Sequence, residues 1–234
     1  AVLVLASPAG ADCLDPLDND LDDDVDPRDA ACMAIFDNSQ RAGNSTLRMI
    51  TTLGDIELEL FDSLRPVSVN NFLNYVDDGD YTNSIVHRSV PGFVIQGGGF
   101  TFADGSLDDV PTDPPFQDTP GPSNLRGTIA MAENSAGATS QWFINLADNP
   151  FLDPDFTVFG EVTSGMDVVD AIALVPRFDA GSPFSDLPLR NYTPRNSIEE
   201  SNFIFATVPE PRGAWLGMVA LATITLARRL SSRG

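Results

Sequence analysis

The segment from Ile85 to Phe100 constrains the fold of this chain more than any other part of its sequence. It contains two short apolar runs of the kind that form β-strands, separated by Pro91-Gly92 and closed by three consecutive glycines, Gly97 to Gly99. Proline and glycine interrupt regular strands and mark turns. The runs also carry an arginine, a phenylalanine and a glutamine, so the segment predicts an apolar recess that holds one fixed cation and one amide.

Side-chain alternation limits how these three residues, Arg88, Phe93 and Gln96, can meet. Successive side chains of a strand point to opposite faces of the sheet. Phe93 and Gln96 therefore share a face only if the strand is locally irregular. The glycine run that follows permits such an irregularity.

The chain between residues 47 and 207 has the pattern of an all-β domain. Ile56, Leu58 and Leu60 alternate with acidic residues, which predicts a half-buried strand, and Pro66 is suited to the first position of a helix. Met166 to Ala173 is predicted as a second short helix. With a strand at about residue 47, further strands are predicted at roughly 85–89, 93–97, 126–132, 141–145, 157–162 and 202–208. Eight strands and two helices suit a closed antiparallel barrel capped by the helices, with loops at 100–124 and 178–201.

The sequence H-R-S-V-P-G-F-V-I-Q-G-G, from His87 to Gly98, resembles the signature of cyclophilin-type peptidyl-prolyl isomerases. Three further segments are similar to the family in the same order along the chain: Leu47 to Asn74, Arg126 to Asn145 and Phe151 to Ile172. The resemblance covers about residues 47–207. It implies the eight-stranded cyclophilin-like barrel, isomerisation of X-Pro peptide bonds in proline-containing polypeptides, and catalysis without a cofactor.

The resemblance also implies a role for each residue of the site. Arg88 matches the catalytic arginine, whose N–H can hydrogen-bond the prolyl nitrogen as the amide twists, and Gln96 matches the amide that contacts the substrate backbone. The proline pocket is matched by Phe93, Val94, Phe143 and Leu152. The neighbouring groove is matched by Ala132 and Gln141, with Phe151 and Phe156 at further substrate-contacting positions.

Three of these positions depart from the pattern of eukaryotic members. Phe151 stands where they usually have tryptophan, Phe156 where they usually have histidine, and Val94 replaces a common methionine. Bacterial members often have aromatic residues at the first two positions, so the resemblance is to the bacterial type. Because Phe151 lacks the indole N–H of tryptophan, we expect weaker cyclosporin binding. The loop before Gln141 is about one residue shorter than in eukaryotic members, which predicts a groove of different shape.

His87 is the single histidine of the chain and is therefore a candidate catalytic residue. It alternates with Arg88 and should therefore face away from it, so we expect a packed structural histidine. Two other classes of function remain open from the sequence. One is a binding module that docks X-Pro loops at the cell surface without turnover, and the other is a calcium-dependent adhesion protein whose barrel is a scaffold.

The composition limits the partners. The chain has 34 acidic and 13 basic residues, all 13 of them arginine, and a formal net charge of −21. Phosphate binding needs a basic patch, so nucleic acid is not an expected partner. The acidic, lysine-free composition suits a salty or extracellular setting, and a biased genome composition would produce it equally. We expect a monomer.

Residues 12–46 form an acidic segment before the predicted barrel. Six aspartates at mostly alternate positions could supply oxygen ligands to Ca²⁺: Asp18, Asp20, Asp22, Asp24, Asp26 and Asp29. The glycine of a typical calcium loop is replaced by Asp23, and Pro27 follows. The segment therefore predicts either a structural calcium site or a solvated acidic linker. In an exported protein, Cys13 and Cys32 would form a disulfide.

Both ends of the sequence have the pattern of processing signals. Residues 1–11 are apolar and end in small residues, which indicates either the remnant of a secretory signal or a short buried strand. The uncharged run from Ala214 to Ala227 is shorter than a spanning helix requires and precedes an arginine cluster. With Val208-Pro209-Glu210-Pro211 before it, the tail (208–234) resembles a PEP-CTERM sorting signal, with a short membrane anchor as the alternative. The resemblance implies cleavage by an exosortase-like peptidase, only transient membrane contact, and a location in the periplasm, outer surface or extracellular matrix of a Gram-negative bacterium.

Overall fold

A computed structural model of the chain describes residues 44–119, 121–193, 195 and 200–208. Eight strands of this part form the main sheet: β1 (Thr46–Thr51), β2 (Gly54–Leu60), β3 (Arg88–Val90), β4 (Val94–Gly97), β7 (Thr128–Asn134), β8 (Gly137–Asn145), β9 (Val158–Ser164) and β12 (Ala206–Thr207). Two smaller pairs are formed by β5 (Phe100–Ala103) with β6 (Ser106–Asp109) and by β10 (Arg177–Phe178) with β11 (Leu187–Pro188).

The main sheet is antiparallel and curls on itself. Its strand order is β12-β1-β2-β9-β7-β8-β4-β3. Its two ends meet next to the starts of β3 and β12, where the N–H of Val86 donates to the carbonyl of Ile204 and the N–H of Ala206 donates to the carbonyl of Ser84, both at 2.8 Å. The predicted eight-stranded cyclophilin-like barrel is confirmed.

The two predicted helices are present with the expected starts. Helix α1 spans Pro66–Asp77 and helix α2 spans Met166–Ala173. Proline suits the first turn of α1 because its fixed φ is helical and its missing N–H would have had no partner inside the helix. The apolar face of α1 is buried through Val69, Phe72 and Val76 in the main core, which also contains the barrel-facing side chains of β1 and β2.

The described parts of segments 100–124 and 178–201, which were predicted as loops, contain short strands: β5 and β6 in the first and β11 in the second. The hairpin β5–β6 turns through Asp104 and Gly105, which both have positive φ (52° and 80°). An Asp-Gly pair between two strands favours this two-residue turn. Conversely, the strand predicted over 202–208 is reduced to Ala206–Thr207, since Asn202 ends a 3-10 turn and Phe203 and Phe205 form only isolated bridges with Leu189 and Ile85.

Several predictions fall on residues outside those described. These are the secretory remnant at 1–11, the six aspartates and the Cys13–Cys32 pair of the acidic segment, and the sorting tail beyond Val208. In the part of the chain that the structure describes, no cluster of three His, Cys, Asp or Glu side chains is arranged to hold a metal ion. Nor does that part contain a helix with the length and apolar character needed to cross a membrane.

Candidate active site

The hairpin β3–β4 positions the polar residues of the site. Arg88 and Gln96 are directly paired across the two strands, so their side chains leave the same face of the sheet. Phe93 lies in the connecting turn, where its N–H donates to the carbonyl of Val90 at 3.0 Å. The irregularity that brings Phe93 to the face of Gln96 is therefore this turn, and not the glycine run that the sequence suggested.

A chain of side-chain hydrogen bonds fixes the polar edge. Nη1 of Arg88 donates to Oε1 of Gln96 at 3.4 Å, and Nε2 of Gln96 donates to Oε1 of Gln141 on β8 at 2.8 Å. The guanidinium carbon of Arg88 lies 5.9 Å from the ring centre of Phe93, which is within cation–π range. The glycine run has a different role: a Cβ on Gly99 would lie 2.8 Å from Nε2 of Gln141, so glycine leaves room for that side chain.

Opposite this edge lies an apolar wall with its own small core. Val94 and Phe143 are buried against Ala130 and Val158, and Phe156 meets Phe143 edge to face at 5.6 Å between ring centres. Together with the polar edge, the wall encloses a recess of about 270 Å³. The residues lining this apolar recess are Arg88, Phe93, Val94, Gln96, Ala132, Glu133, Phe143, Leu152 and Phe156.

The structure brings all ten sequence-predicted site residues together. Eight of them line the recess, and the remaining two border it through direct contacts. Gln141 holds Gln96, and Phe151, whose side chain is 66% exposed, stacks on Phe93 at 5.9 Å between ring centres. A small apolar cavity with one cation at its edge can hold a compact ring and stabilise a developing lone pair beside it.

Glu133 lines the recess but was not singled out by the sequence analysis. The predicted strand ended at residue 132, whereas β7 continues to Asn134 and its pairing with β8 is irregular between Met131 and Glu133. Burial raises the pKa of Glu133, and hydrogen bonds from Thr157 oppose that rise. Its strand position and its partly buried carboxylate could not be read from the linear sequence.

Three buried asparagines connect the two sides of the recess and were also missed. Nδ2 of Asn149 donates to the carbonyl of Phe93 at 3.2 Å and to Oδ1 of Asn145 at 2.8 Å. Nδ2 of Asn145 donates to Oδ1 of Asn124 at 3.1 Å, and Nδ2 of Asn124 donates to the carbonyl of Phe156 at 3.1 Å. The backbones that carry two recess aromatics are therefore tied together through one asparagine network.

His87 lies outside the recess, as side-chain alternation predicted. Its side chain is buried and packs edge to face on Phe100 at 5.0 Å between ring centres. Burial, with a smaller contribution from the neighbouring Arg88 charge, lowers the pKa of His87 to about 4. A buried, neutral imidazole on the other side of the strand has the features of a structural residue.

Comparison with known proteins places this site in a family. The family model described as cyclophilin type peptidyl-prolyl cis-trans isomerase/CLD matches residues 46–193. Peptidyl-prolyl cis-trans isomerase A of Dickeya dadantii is 43% identical over 67% of this chain and 85% of its own length. A peptidyl-prolyl cis-trans isomerase of Acinetobacter baylyi is 46% identical over 57% of this chain and 74% of its own length.

A solved structure agrees with these sequence comparisons. A cyclophilin type peptidyl-prolyl cis-trans isomerase of Cryptosporidium parvum, crystallised in the presence of the dipeptide Ala-Pro, superposes with a TM-score of 0.53 at 25% identity. The match covers 71% of this chain and 99% of that one. The chain therefore belongs to the cyclophilin type peptidyl-prolyl cis-trans isomerases, enzymes that need no cofactor for catalysis.

Proposed function

We propose that the apolar recess binds the proline ring of exported polypeptides and that Arg88 stabilises the twisted X-Pro amide, so that the enzyme assists folding outside the cytoplasm. The observation that carries the catalytic part is the guanidinium of Arg88, held by Gln96 at the edge of a mostly apolar recess. The Cryptosporidium relative crystallised with Ala-Pro supports a proline-containing substrate.

The chemistry required of the site is modest. Rotation about an X-Pro amide breaks C–N resonance and faces a barrier of roughly 18–20 kcal/mol. As the amide twists, the prolyl nitrogen gains lone-pair character and becomes a better acceptor for an N–H of Arg88. A donor that binds this twisted form better than the planar one lowers the barrier.

The remaining side chains have supporting roles in this proposal. The aromatic and aliphatic wall formed by Phe93, Phe143 and Leu152 holds the ring and excludes water. Gln96, which already bonds to Arg88 and Gln141, is placed to meet the substrate backbone. No nucleophile or metal is needed, because no covalent bond is formed or broken.

An isomerase assay on a proline peptide tests the proposal. We expect the purified chain to accelerate cis-trans exchange of an Ala-Pro peptide, measured by NMR exchange spectroscopy without a coupling protease. Peptide binding without acceleration would instead support a proline-loop binding module, and the absence of both would refute the proposed function.

Export and tail removal form a separate proposal, supported by the sequence alone. The small residues Ala9 and Ala11 suit signal cleavage, and the Pro209-Glu210-Pro211 motif precedes an undersized apolar run with arginines behind it. We expect the mature protein to begin near Asp12 and to end near that motif. Intact mass from the native host tests this, since a mass that includes Trp215 and Arg233 contradicts cleavage. Thiol alkylation before and after reduction tests the Cys13–Cys32 bridge.

A further inference from the structure

We propose that the enzyme prefers substrates with a basic side chain, lysine or arginine, next to the proline, and that Glu133 is the residue that selects it. The inference rests on the proposed use of the apolar recess for proline and adds a charge requirement for the neighbouring residue. It is carried by an open groove beside the recess, here called the acidic groove.

The acidic groove adjoins the recess. It has a volume of about 520 Å³, and Glu133 and Phe156 line both cavities. Because Glu133 lines both cavities, a polypeptide whose proline occupies the recess has this carboxylate beside it. The groove therefore occupies a position where a side chain adjacent to the proline can enter it.

Four carboxylates line the acidic groove: Asp118, Glu133, Asp153 and Asp155. None of them forms an ion pair with an arginine in the described part of the chain, where Arg48, Arg126 and Arg177 pair with other carboxylates. Arg88 lines only the recess. Arg65 reaches the chain beside the groove, where its Nη1 donates to Oγ1 of Thr119 at 2.8 Å, so the groove has four carboxylates and, among the described residues, no directly paired arginine.

Uncharged hydrogen-bond donors hold two of the groove carboxylates in place. Asp118 accepts from the hydroxyl of Ser68 at 2.8 Å, and Asp153 accepts from the hydroxyl of Ser123 at 2.6 Å and from the N–H of Asn124 at 2.7 Å. Such bonds fix the carboxylates and leave their charge in place. A cationic side chain entering the groove would meet several preorganised acceptors.

Glu133 is the one of these four carboxylates that also lines the recess. Burial raises its pKa, hydrogen bonds from the backbone and hydroxyl of Thr157 lower it, and the charges of Asp118 and Asp155 raise it again. A carboxylate that is partly removed from water and surrounded by like charges gains more from a cation than an exposed carboxylate does. This makes Glu133 the residue whose replacement should change selectivity most.

Peptides that differ only beside the proline test the proposal on the full chain. Lysine, alanine or glutamate is placed directly before or directly after the proline, and both kcat/KM, from NMR exchange, and Kd, from chemical-shift titration, are measured. We expect lysine to exceed glutamate by at least ~3-fold in one of the two positions at low salt. Glu133→Gln should reduce that ratio at least ~2-fold, and salt of about 0.5 M should reduce it in the wild type because it screens charges.

The control separates the local effect of the Glu133 charge from the electrostatic field of the whole protein. Glu57→Gln removes the same charge from an exposed position on β2, away from both cavities, and should leave the lysine-to-glutamate ratio unchanged. Equal rates and affinities for the lysine and glutamate peptides would overturn the inference, as would an equal loss of preference in both variants. Glutamine keeps an oxygen for Thr157, and native melting of Glu133→Gln checks that the fold is intact.

The two proposals fail in different ways. If the alanine peptide is not isomerised, the proposed catalysis is wrong, and the Kd comparison still decides whether the groove selects a basic side chain. If the alanine peptide is isomerised and charge has no effect on Kd or kcat/KM, only the selectivity is wrong.

Discussion

Arg88 is hydrogen-bonded to Gln96, the residue directly opposite it on the neighbouring strand, with 3.4 Å between Nη1 and Oε1. Because Gln96 in turn donates to Gln141, its amide is oriented with the oxygen toward the guanidinium. The guanidinium of Arg88 is therefore held on the sheet by two successive side-chain hydrogen bonds. These two hydrogen bonds lead to predictions for Arg88 and Gln141.

Replacing Arg88 by alanine removes the donor that we assign to the prolyl nitrogen. We expect Arg88→Ala to lower kcat/KM for an Ala-Pro peptide by at least ~10-fold, which corresponds to roughly 1.4 kcal/mol of transition-state stabilisation. Melting should remain native, because Arg88 lies at the edge of a recess and not in the main core. NMR exchange rates and a melting curve on the same sample provide the measurement.

The control for Arg88→Ala is Arg48→Ala, which removes an exposed arginine that pairs with Asp55 across β1 and β2. It should leave the isomerisation rate within about twofold, since exposed ion pairs contribute little. A folded Arg88→Ala variant with an unchanged rate would remove Arg88 from its catalytic role.

Gln141 is predicted to act through Gln96. Gln141→Ala deletes the acceptor for Nε2 of Gln96 and allows that amide to rotate away from Arg88. The loss of one such bond is worth about 1 kcal/mol, so kcat/KM should fall roughly fivefold. Thr82→Ala changes an exposed polar residue that lines neither the recess nor the acidic groove, so it is the control and should have no effect. Equal rates for wild type and Gln141→Ala would show that Gln96 needs no such support.

The asparagine network predicts a stability effect. Asn149→Ala leaves the carbonyl of Phe93 and Oδ1 of Asn145 each without one hydrogen-bond donor in a buried environment. We expect about 1–3 kcal/mol less free energy of unfolding in urea. Asn74→Ala, on helix α1, should change it by less than about 0.5 kcal/mol. An Asn149→Ala variant with the same free energy of unfolding as the wild type would contradict the structural role of the network.

Local sequence signals predicted most of the barrel. Pro66 predicted the start of α1, and the alternation of Ile56, Leu58 and Leu60 predicted β2, because these signals act within a few residues. The hairpin β5–β6 was missed because the four residues of β6 are all exposed and show no apolar alternation. Its Asp104-Gly105 turn was nevertheless a valid signal.

The site was predictable where residues match a family motif and not where they meet only in three dimensions. Arg88, Phe93 and Gln96 lie within nine residues of each other and carry a recognisable pattern. By contrast, Asn124 and Asn145 are 21 residues apart and are brought together by the pairing of strands. Glu133 enters the recess through an irregular strand pairing, which depends on the partner strand as much as on its own sequence.

The buried imidazole of His87 gives the last prediction, which concerns stability against pH. Burial, with a smaller contribution from Arg88, lowers the pKa of His87 to about 4 in the folded state, against an ordinary value of 6.5. Between these values the unfolded chain binds more protons than the folded chain, so the free energy of unfolding rises with pH. Stability from His87 is fully present above pH 6.5 and is lost as the pH falls toward 4, by up to ~3 kcal/mol.

The effect is measurable because His87 is the single histidine of the chain. Urea unfolding of wild type and His87→Gln at several pH values between 7 and 4 gives the difference in their free energies of unfolding. The contributions of the titrating carboxylates cancel in this difference because both proteins contain them. We expect the wild type to lose stability relative to the variant as the pH falls through this window, while the isomerisation rate of the folded variant stays near that of the wild type. Parallel curves would mean that the imidazole is not held neutral, and a folded variant without activity would overturn its structural role.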